Sequence, residues 1–231
     1  MKSELPKVLH PLLGKPLIQH VIDNIRQSGI DDITVVVGYK GEDVIREIGS
    51  AVKYAWQREQ LGTGHAVLQA EEFYNGYNGK VIVACGDAPL ISEKSFSSLV
   101  AQMDVSSVKA SVLTMIQENP TGYGRMLKDT NGHLVRIVEE KDASVEQKLI
   151  REVNSGTYVF DAPLLFEGLK NIGNDNAQKE YYLPDVLVYM ISKGYAVTTM
   201  PLADPFEGTG INSKEELSAV ADALEKRTGK R

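Results

Sequence analysis

Apolar residues recur in two alternating periods along the 231-residue chain. Leu17, Ile18, Val21, Ile22 and Ile25 fall at helical spacing, with Pro16 at the opening turn and Gly29 where a C-cap belongs, which predicts one amphipathic helix. Residues 33–38 then read as a buried strand, 42–48 as a short helix, 52–56 as a second strand, and about 65–73 as a helix after the loop 57–64. Val81, Ile82, Val83, Ala84 and Cys85 follow without a break, which predicts a strand buried on both faces, and Gly86-Asp87 stand where that strand must leave the sheet. Strand and helix alternating at this spacing predict right-handed crossovers and a mainly parallel sheet.

Beyond Asp87 the pattern changes. Residues 92–103 read as a helix and 110–116 as a strand, and the runs 125–128 and 134–138 around Asn131-Gly132 predict a β-hairpin, an antiparallel excursion from the sheet. A strand over 153–160, a helix over 183–191 begun by Pro184, and a strand over 196–200 complete the pattern. Ser213 with Glu216 forms a capping box for a closing helix that carries Leu217, Val220, Ala221 and Leu224 on one face. No repeat, low-complexity tract or linker divides the chain, so the expectation is α/β architecture in a single domain, residues 1–231.

Composition narrows the partners. The net charge is −6, from 25 Lys and Arg against 31 Asp and Glu, with no basic run to follow a nucleic-acid backbone, so no nucleic acid is expected. Cys85 is the single cysteine, which excludes an intrachain disulfide and a cysteine-based zinc site and suggests the cytoplasm. No apolar run approaches the roughly 18 residues of a membrane span, and the first residues lack a signal-peptide core, so no membrane is expected either. Gly62-Thr63-Gly64, Gly122-Tyr123-Gly124 and Gly208-Thr209-Gly210 are GxG triplets without a dinucleotide fingerprint or a P-loop lysine. His10, His20, His65 and His133 are too scattered for an HExxH pair, and no GxSxG elbow is present.

What remains is a set of polar residues at the ends of apolar strands: Gln57, Asp87, Glu139-Glu140-Lys141, and Asn154 within a strand. Loop carboxylates, amides and a lysine suit Mg²⁺ with a phosphorylated ligand, because Mg²⁺ takes few protein oxygens and shares phosphate oxygens and water. Asp87 at a carboxyl strand end faces the ligand edge of an open α/β sheet, and Gly86 beside it admits a ligand close to the backbone. The plain alternatives stand beside these: Asp87 as the cap of the next turn, Glu139 and Lys141 as a solvated charge run, Gln57 and Asn154 as turn residues, and His65 as a helix-surface or core histidine.

Seven segments fall in a telling order. Leu5-Pro6-Lys7-Val8-Leu9-His10, Gln60-Leu61-Gly62-Thr63-Gly64-His65-Ala66, Cys85-Gly86-Asp87-Ala88-Pro89-Leu90 and Pro120-Thr121-Gly122-Tyr123-Gly124-Arg125 come first. Val138-Glu139-Glu140-Lys141-Asp142, Asn154-Ser155-Gly156 and the run from Asn174 through Gln178, Glu180 and Tyr182 follow. Together, from residue 1 to about residue 217, they resemble the uridylyltransferase domain of the bacterial bifunctional GlmU family. That resemblance implies a Rossmann-like nucleotide-diphospho-sugar transferase fold whose antiparallel excursion holds the sugar. It implies the reaction of UTP with N-acetylglucosamine 1-phosphate to give UDP-N-acetylglucosamine and pyrophosphate, with Mg²⁺, for cell-wall precursor synthesis. Matched residue by residue, Gln57 and the Gly62-Thr63 backbone correspond to uracil contacts, Lys7 to a phosphate contact, and Asp87 with Asn212 to the metal ligands. Cys85 and Gly86 line the substrate beside Asp87, while Gly124, Glu139 and Asn154 correspond to sugar contacts; Lys7 and Asp87 are the expected catalytic pair.

The resemblance also carries two departures. Family members open with an apolar strand and a Gly-rich turn of the form LAAGxGTRM, whereas this sequence starts at what would be the closing Met; the family's C-terminal β-helix is likewise missing. The resulting expectations are a chain truncated at its N-terminus, monomeric without the β-helix, and impaired in folding and rate. Two further readings stay open: a non-catalytic sugar-nucleotide-binding fragment, and a related nucleotidyltransferase for another base or sugar.

Overall fold

A computed structural model describes residues 4–105 and 107–228 of the chain, so Met1 lies outside the described residues. After a 3-10 turn at Lys7–Leu9, a small hairpin of β1 (Pro11–Leu12) and β2 (Lys15–Pro16) leads into α1 (Leu17–Gln27). Its two turn residues, Leu13 at φ +50° and Gly14 at φ +82°, are both left-handed, the conformation that matches the twist of a tight hairpin. Strands of two residues leave no periodicity, so the pattern did not announce them. Gly29, at φ +89°, ends α1 as expected and donates to the Arg26 carbonyl at 2.9 Å.

The chain continues with β3 (Thr34–Val37), α2 (Gly41–Ile48), β4 (Lys53–Trp56), α3 (Thr63–Leu68), β5 (Lys80–Val83), α4 (Glu93–Ala101) and β6 (Val108–Ile116). The expected hairpin is β7 (Arg125–Lys128) with β8 (Leu134–Val138), and then come β9 (Glu152–Asp161), α5 (Ala162–Leu169), α6 (Pro184–Ser192), β10 (Ala196–Pro201) and α7 (Lys214–Thr228). Helix α3 is shorter than its apolar pattern predicts, residues 71–74 forming a separate 3-10 turn. Helix α5 was not expected, although its signal is present: Asp161 caps it by accepting from the Leu164 N–H at 3.4 Å, and Pro163 sits in its first turn.

The large sheet runs β10-β6-β9-β7-β8, with β5 also paired to β9. It is mixed rather than mainly parallel: β10 and β6 are parallel, while β9 runs against β5, β6 and β7. Helices α5 and α6 cover one face, where Leu165, Phe166, Leu187 and Met190 meet Val112 and Phe160. Helix α4 covers the other, where Phe96 and Leu99 meet Leu113, Met115 and Val159. The α/β, Rossmann-like class therefore holds with a different balance of strand directions.

Strand β5 departs from expectation in burial. Val81 is buried, but Ile82 and Val83 are only partly so and Cys85 is exposed. Its sole ladder among the described residues is with β9, and β3 likewise pairs only with β4, in a parallel two-stranded sheet of their own. Helix α1 lies across both sheets, Ile18 and Ile22 packing with Val35 and Val37, and Ile25 packing with the cluster that includes Ile82. Among the described residues no helix is long and apolar enough to cross a membrane.

The segment between β10 and α7 is fixed by a single carboxylate. Glu207 Oε2 accepts from the Ser92 N–H at 3.0 Å, the Ser92 hydroxyl at 2.9 Å and the Ser95 hydroxyl at 2.6 Å, so the start of α4 receives a negative charge where its free N–H groups favour one. The capping box then sets the start of α7, with Glu216 N–H to Ser213 Oγ at 3.0 Å and Ser213 N–H to Glu216 Oε2 at 3.1 Å. Replacing Glu207 by Ala leaves three donors without their acceptor and is expected to lower unfolding free energy by about 1–3 kcal/mol in urea titrations. Glu207→Gln, which keeps one acceptor oxygen, is expected to lose less, and equal stability of all three proteins would remove Glu207 from this role.

Candidate active site

The site forms where β5 stops and β7 begins on the same edge of β9. Val83 lies opposite Tyr158 and Arg125 opposite Val153, so residues 154–157 of β9 have no strand beside them on that edge. Into this opening come the loop after β5, the turn at Lys7–Leu9 and the segment before α7.

Three residues distant in sequence meet there. Lys7 Nζ donates to Asn212 Oδ1 at 2.6 Å and pairs with the Asp87 carboxylate, so residues 7, 87 and 212 make one cluster. The Ile211 N–H donates to the Asp87 carbonyl at 2.9 Å and holds the Asn212 segment against the end of β5. Asp87 is therefore not the cap of the following helix; that role belongs to Ser92, whose hydroxyl accepts from the Ser95 N–H. Gly86 earns its place through packing, since a Cβ there would lie 3.3 Å from Val8 and 3.5 Å from Ile18, which bring the Lys7 turn onto the strand end.

Donor chemistry at this cluster suits a hard cation. An Asp carboxylate and an Asn amide oxygen already flank the Lys7 ammonium, and Mg²⁺ binds through one or two such oxygens with the rest of its shell from phosphate and water. A cage made wholly of protein is not present: no three His, Cys, Asp or Glu side chains gather as metal ligands among the described residues.

Beside the cluster lie Gly124, Glu139 and Asn154. The Asn154 N–H donates to the Gly124 carbonyl at 2.8 Å, and a Cβ on Gly124 would come within 2.9 Å of Ile137 and 3.1 Å of Glu139 Oε1. Asn154 is buried, its Oδ1 accepting from the Gly156 N–H at 2.9 Å and its Nδ2 donating to the Tyr158 hydroxyl at 2.5 Å. Burial raises the pKa of Glu139, with the Asp142 and Asp185 carboxylates adding to the effect and Arg125 opposing it. The Cys85 thiol donates to the Gly156 carbonyl at 3.5 Å. Although Cys85 is exposed as a residue, desolvation of its thiol, with Asp87 adding, pushes its pKa up to about 12, far from that of a nucleophilic cysteine.

Gln57, Gly62 and Thr63 form a third group at the end of β4. Gln57 N–H donates to the Val37 carbonyl at 2.8 Å, and its Nε2 donates to the Gly62 carbonyl at 3.0 Å. Gly62 is required: its φ is +110°, and a Cβ would stand 2.6 Å from the Tyr181 carbonyl oxygen. Thr63 Oγ1 accepts from the Leu183 N–H at 3.0 Å, which ties the start of α3 to the segment before α6.

Two features escaped the sequence reading. Arg125 is 1% exposed, and its guanidinium donates to Glu140 Oε2 at 2.6 Å and to the Tyr123 carbonyl, while the same Glu140 oxygen accepts from the Gly122 N–H at 3.1 Å. This pair holds the Gly122-Tyr123-Gly124 turn against the Glu139 loop, and it resided in plain sight in the charge run after Val138. The second is the strap formed by residues 174–182. At one end Tyr181 exchanges hydrogen bonds with Leu61 and Gly64, both 2.8 Å; at the other, Asp142 accepts from the Ala177 N–H at 2.8 Å and Lys141 donates to Gln178 at 2.6 Å.

A sequence profile of the family described as nucleotidyl transferase matches residues 2–209 of this chain. The chain belongs to the nucleotidyl transferase family. This nucleotidyl transferase is 45% identical over 98% of its length to the bifunctional protein GlmU of Oceanobacillus iheyensis, covering 50% of that protein. It is 46% identical over its whole length to GlmU of Exiguobacterium sp., and 40% identical to that of Bacillus subtilis, covering 51% of each. The chain thus spans about half the length of the curated relatives it matches. A solved structure of UDP-glucose pyrophosphorylase complexed with UDP-glucose superposes with a TM-score of 0.75, covering 96% of this chain and 91% of that one at 18% identity, a likeness of fold.

Glu139 gives this nucleotidyl transferase a pH signature. A carboxyl whose folded pKa is raised stabilises the fold while protonated, below its ordinary value of 4.5, and that contribution is lost as pH rises through the folded pKa. The ionised group is therefore a liability at neutral pH. Glu139→Gln is expected to melt at a higher temperature than the native chain at pH 8, with the difference shrinking toward pH 4 in calorimetric scans. A difference independent of pH would show that the burial of the carboxylate is not the cause.

Proposed function

We propose that this nucleotidyl transferase moves UMP from UTP to N-acetylglucosamine 1-phosphate, forming UDP-N-acetylglucosamine and pyrophosphate, in the cytoplasm and toward cell-wall precursors. The observation that carries the reading is the Lys7–Asp87–Asn212 cluster, one fixed cation and two oxygen donors, with Gly124, Glu139 and Asn154 grouped beside it.

A sugar phosphate is already a nucleophile, so the chain need not supply one. Its phosphate oxygen attacks the α-phosphorus of UTP, the new P–O bond forms as the α–β anhydride bond breaks, and the electron pair leaves with pyrophosphate. The work left to the protein is alignment of two polyanions and neutralisation of their charge. Lys7 offers a point charge to phosphate oxygens once the ligand takes over from its present partners. Asp87 and Asn212 would hold Mg²⁺, which when bound screens the repulsion between the substrates and the charge on the leaving group. Glu139 accepts from sugar hydroxyls through a half-buried carboxylate that has no hydrogen-bond donor among the described residues, and the second Nδ2 hydrogen of Asn154 remains for the ligand. Gln57 and the Gly62-Thr63 backbone contact uracil.

The likeness to GlmU proteins over half their length supports the choice of UTP and N-acetylglucosamine 1-phosphate, and nothing in the geometry argues for a different sugar. Formation of UDP-N-acetylglucosamine from labelled UTP is the direct test, run on the chain with and without an N-terminal extension that encodes an apolar strand and a Gly-rich turn. Binding of both substrates without product in either form would leave a non-catalytic binder instead.

Two substitutions divide the roles. Asp87→Asn keeps shape and removes charge, and is expected to lower the rate by about a hundredfold or more at saturating Mg²⁺ with melting little changed. An unchanged rate would reduce Asp87 to a structural partner of Lys7. Glu139→Ala is expected to weaken N-acetylglucosamine 1-phosphate by about 1–3 kcal/mol while the KM for UTP moves little, and equal losses for both substrates would sink the sugar assignment.

A further inference from the structure

We propose that His65 is a positioning residue that sets base selectivity by fixing the orientation of the Gln57 amide. The proposal rests on the reading of Gln57 as the base contact. The Gly62 carbonyl can only accept, and it takes both the Ala66 N–H and Gln57 Nε2, each at 3.0 Å. That contact decides which end of the Gln57 amide faces the protein. The second hydrogen on Nε2 then points to His65 Nδ1 at 3.1 Å, which must act as an acceptor.

Both hydrogens of the amide are thereby engaged within the protein. Gln57 Oε1 is the atom left for a ligand, and no hydrogen bond to it is found among the described residues. With Nδ1 as acceptor, the proton of a neutral His65 ring sits on Nε2. Gln69 lies on that side; its amide nitrogen donates to the His65 carbonyl at 3.0 Å and stands 3.2 Å from Nε2, so it supplies no acceptor to the ring proton.

An acceptor held in place selects a base that offers an N–H at its pairing edge. Uracil offers N3–H there, whereas cytosine offers the N3 lone pair, which meets Oε1 with repulsion. A site built around one hydrogen-bond direction rejects the reversed ligand far more strongly than a merely apolar pocket does. Without an acceptor at the place of Nδ1 the amide is held by Gly62 alone and turns more readily, so cytosine gains and uracil loses.

The experiment compares binding of UTP and CTP to the full chain by titration calorimetry, alongside KM for each substrate. Asn carries its amide oxygen near the place of Nδ1, while Gln carries its amide group near the place of Nε2. His65→Ala and His65→Gln are expected to lower the UTP-to-CTP affinity ratio about tenfold, the loss of about 1.4 kcal/mol of discrimination, with the KM for the sugar phosphate within about twofold of native. His65→Asn is expected to keep the ratio. A ratio unmoved in His65→Gln, or lost equally in His65→Asn, overturns the proposal, and the His65→Gln and His65→Asn pair decides it even where His65→Ala melts early. If the native chain binds UTP and CTP equally, the reading of Gln57 as the base contact fails first, before any His65 variant is examined.

Discussion

The site depends on a bulge in β9. Between Val112 and Thr114, one residue of β6 faces three of β9, Ser155 to Thr157, and Gly156 takes φ +78° at the centre. Asn154 stabilises that detour by accepting from the Gly156 N–H, and Ser155 Oγ donates to the Leu113 carbonyl at 2.9 Å. A bulge re-aims side chains and interrupts pairing, and here it does both. The same strand meets β7 at Val153, before the interruption, and pairs with β5 from Tyr158, after it, so the loop that carries Asp87 and the turn that carries Gly124 are held on one backbone. A Cβ on Gly156 would stand 2.9 Å from the Cys85 sulfur, so the detour tolerates no side chain without moving the loop that carries Asp87.

Charge in the cleft follows from what it must accept. Asp142 and Asp185 add to the rise in the Glu139 pKa, and Asp87 and Glu139 both act on the Cys85 thiol, so negative charge meets negative charge along the cleft. A cation resolves this conflict. The Lys7 ammonium takes that role between Asp87 and Asn212, and the same two oxygens are the ones that suit Mg²⁺. Glu139 shows the converse: a carboxylate kept partly desolvated is costly, and such groups concentrate at functional sites.

Periodicity made the helices and strands of this chain legible because they bury one face or both, and the capping box at Ser213 and Glu216 was readable from its spacing alone. The direction of β9 was not, since an apolar strand looks the same in a parallel and an antiparallel ladder. Gln57, Asp87, Glu139 and Asn154 stood out as polar residues in or after apolar strands and the other candidates came from the resemblance, while the meeting of Lys7 with Asn212 across 205 positions has no local signature. Glu207 and Arg125 stayed hidden for a related reason. Each looks like an ordinary surface charge until the partner element, α4 for one and the Glu139 loop for the other, is placed beside it.

The strap from residue 174 to 182 adds a last constraint, because it touches both the loop after β4 and the Glu139 loop. It is organised from within: Asn176 Oδ1 accepts from the Gln178 and Glu180 N–H groups, both at 3.2 Å, and its Nδ2 donates to the Glu180 carbonyl at 2.6 Å. Lys179 sits at φ +56°, a conformation that those bonds help to hold. A loop ordered by its own contacts does not have to be ordered by the ligand, so the free energy of binding is not consumed in freezing it. Fastening Leu61 and Gly64 to Asp142 through such a strap therefore keeps the separation between the loop after β4 and the Glu139 loop fixed.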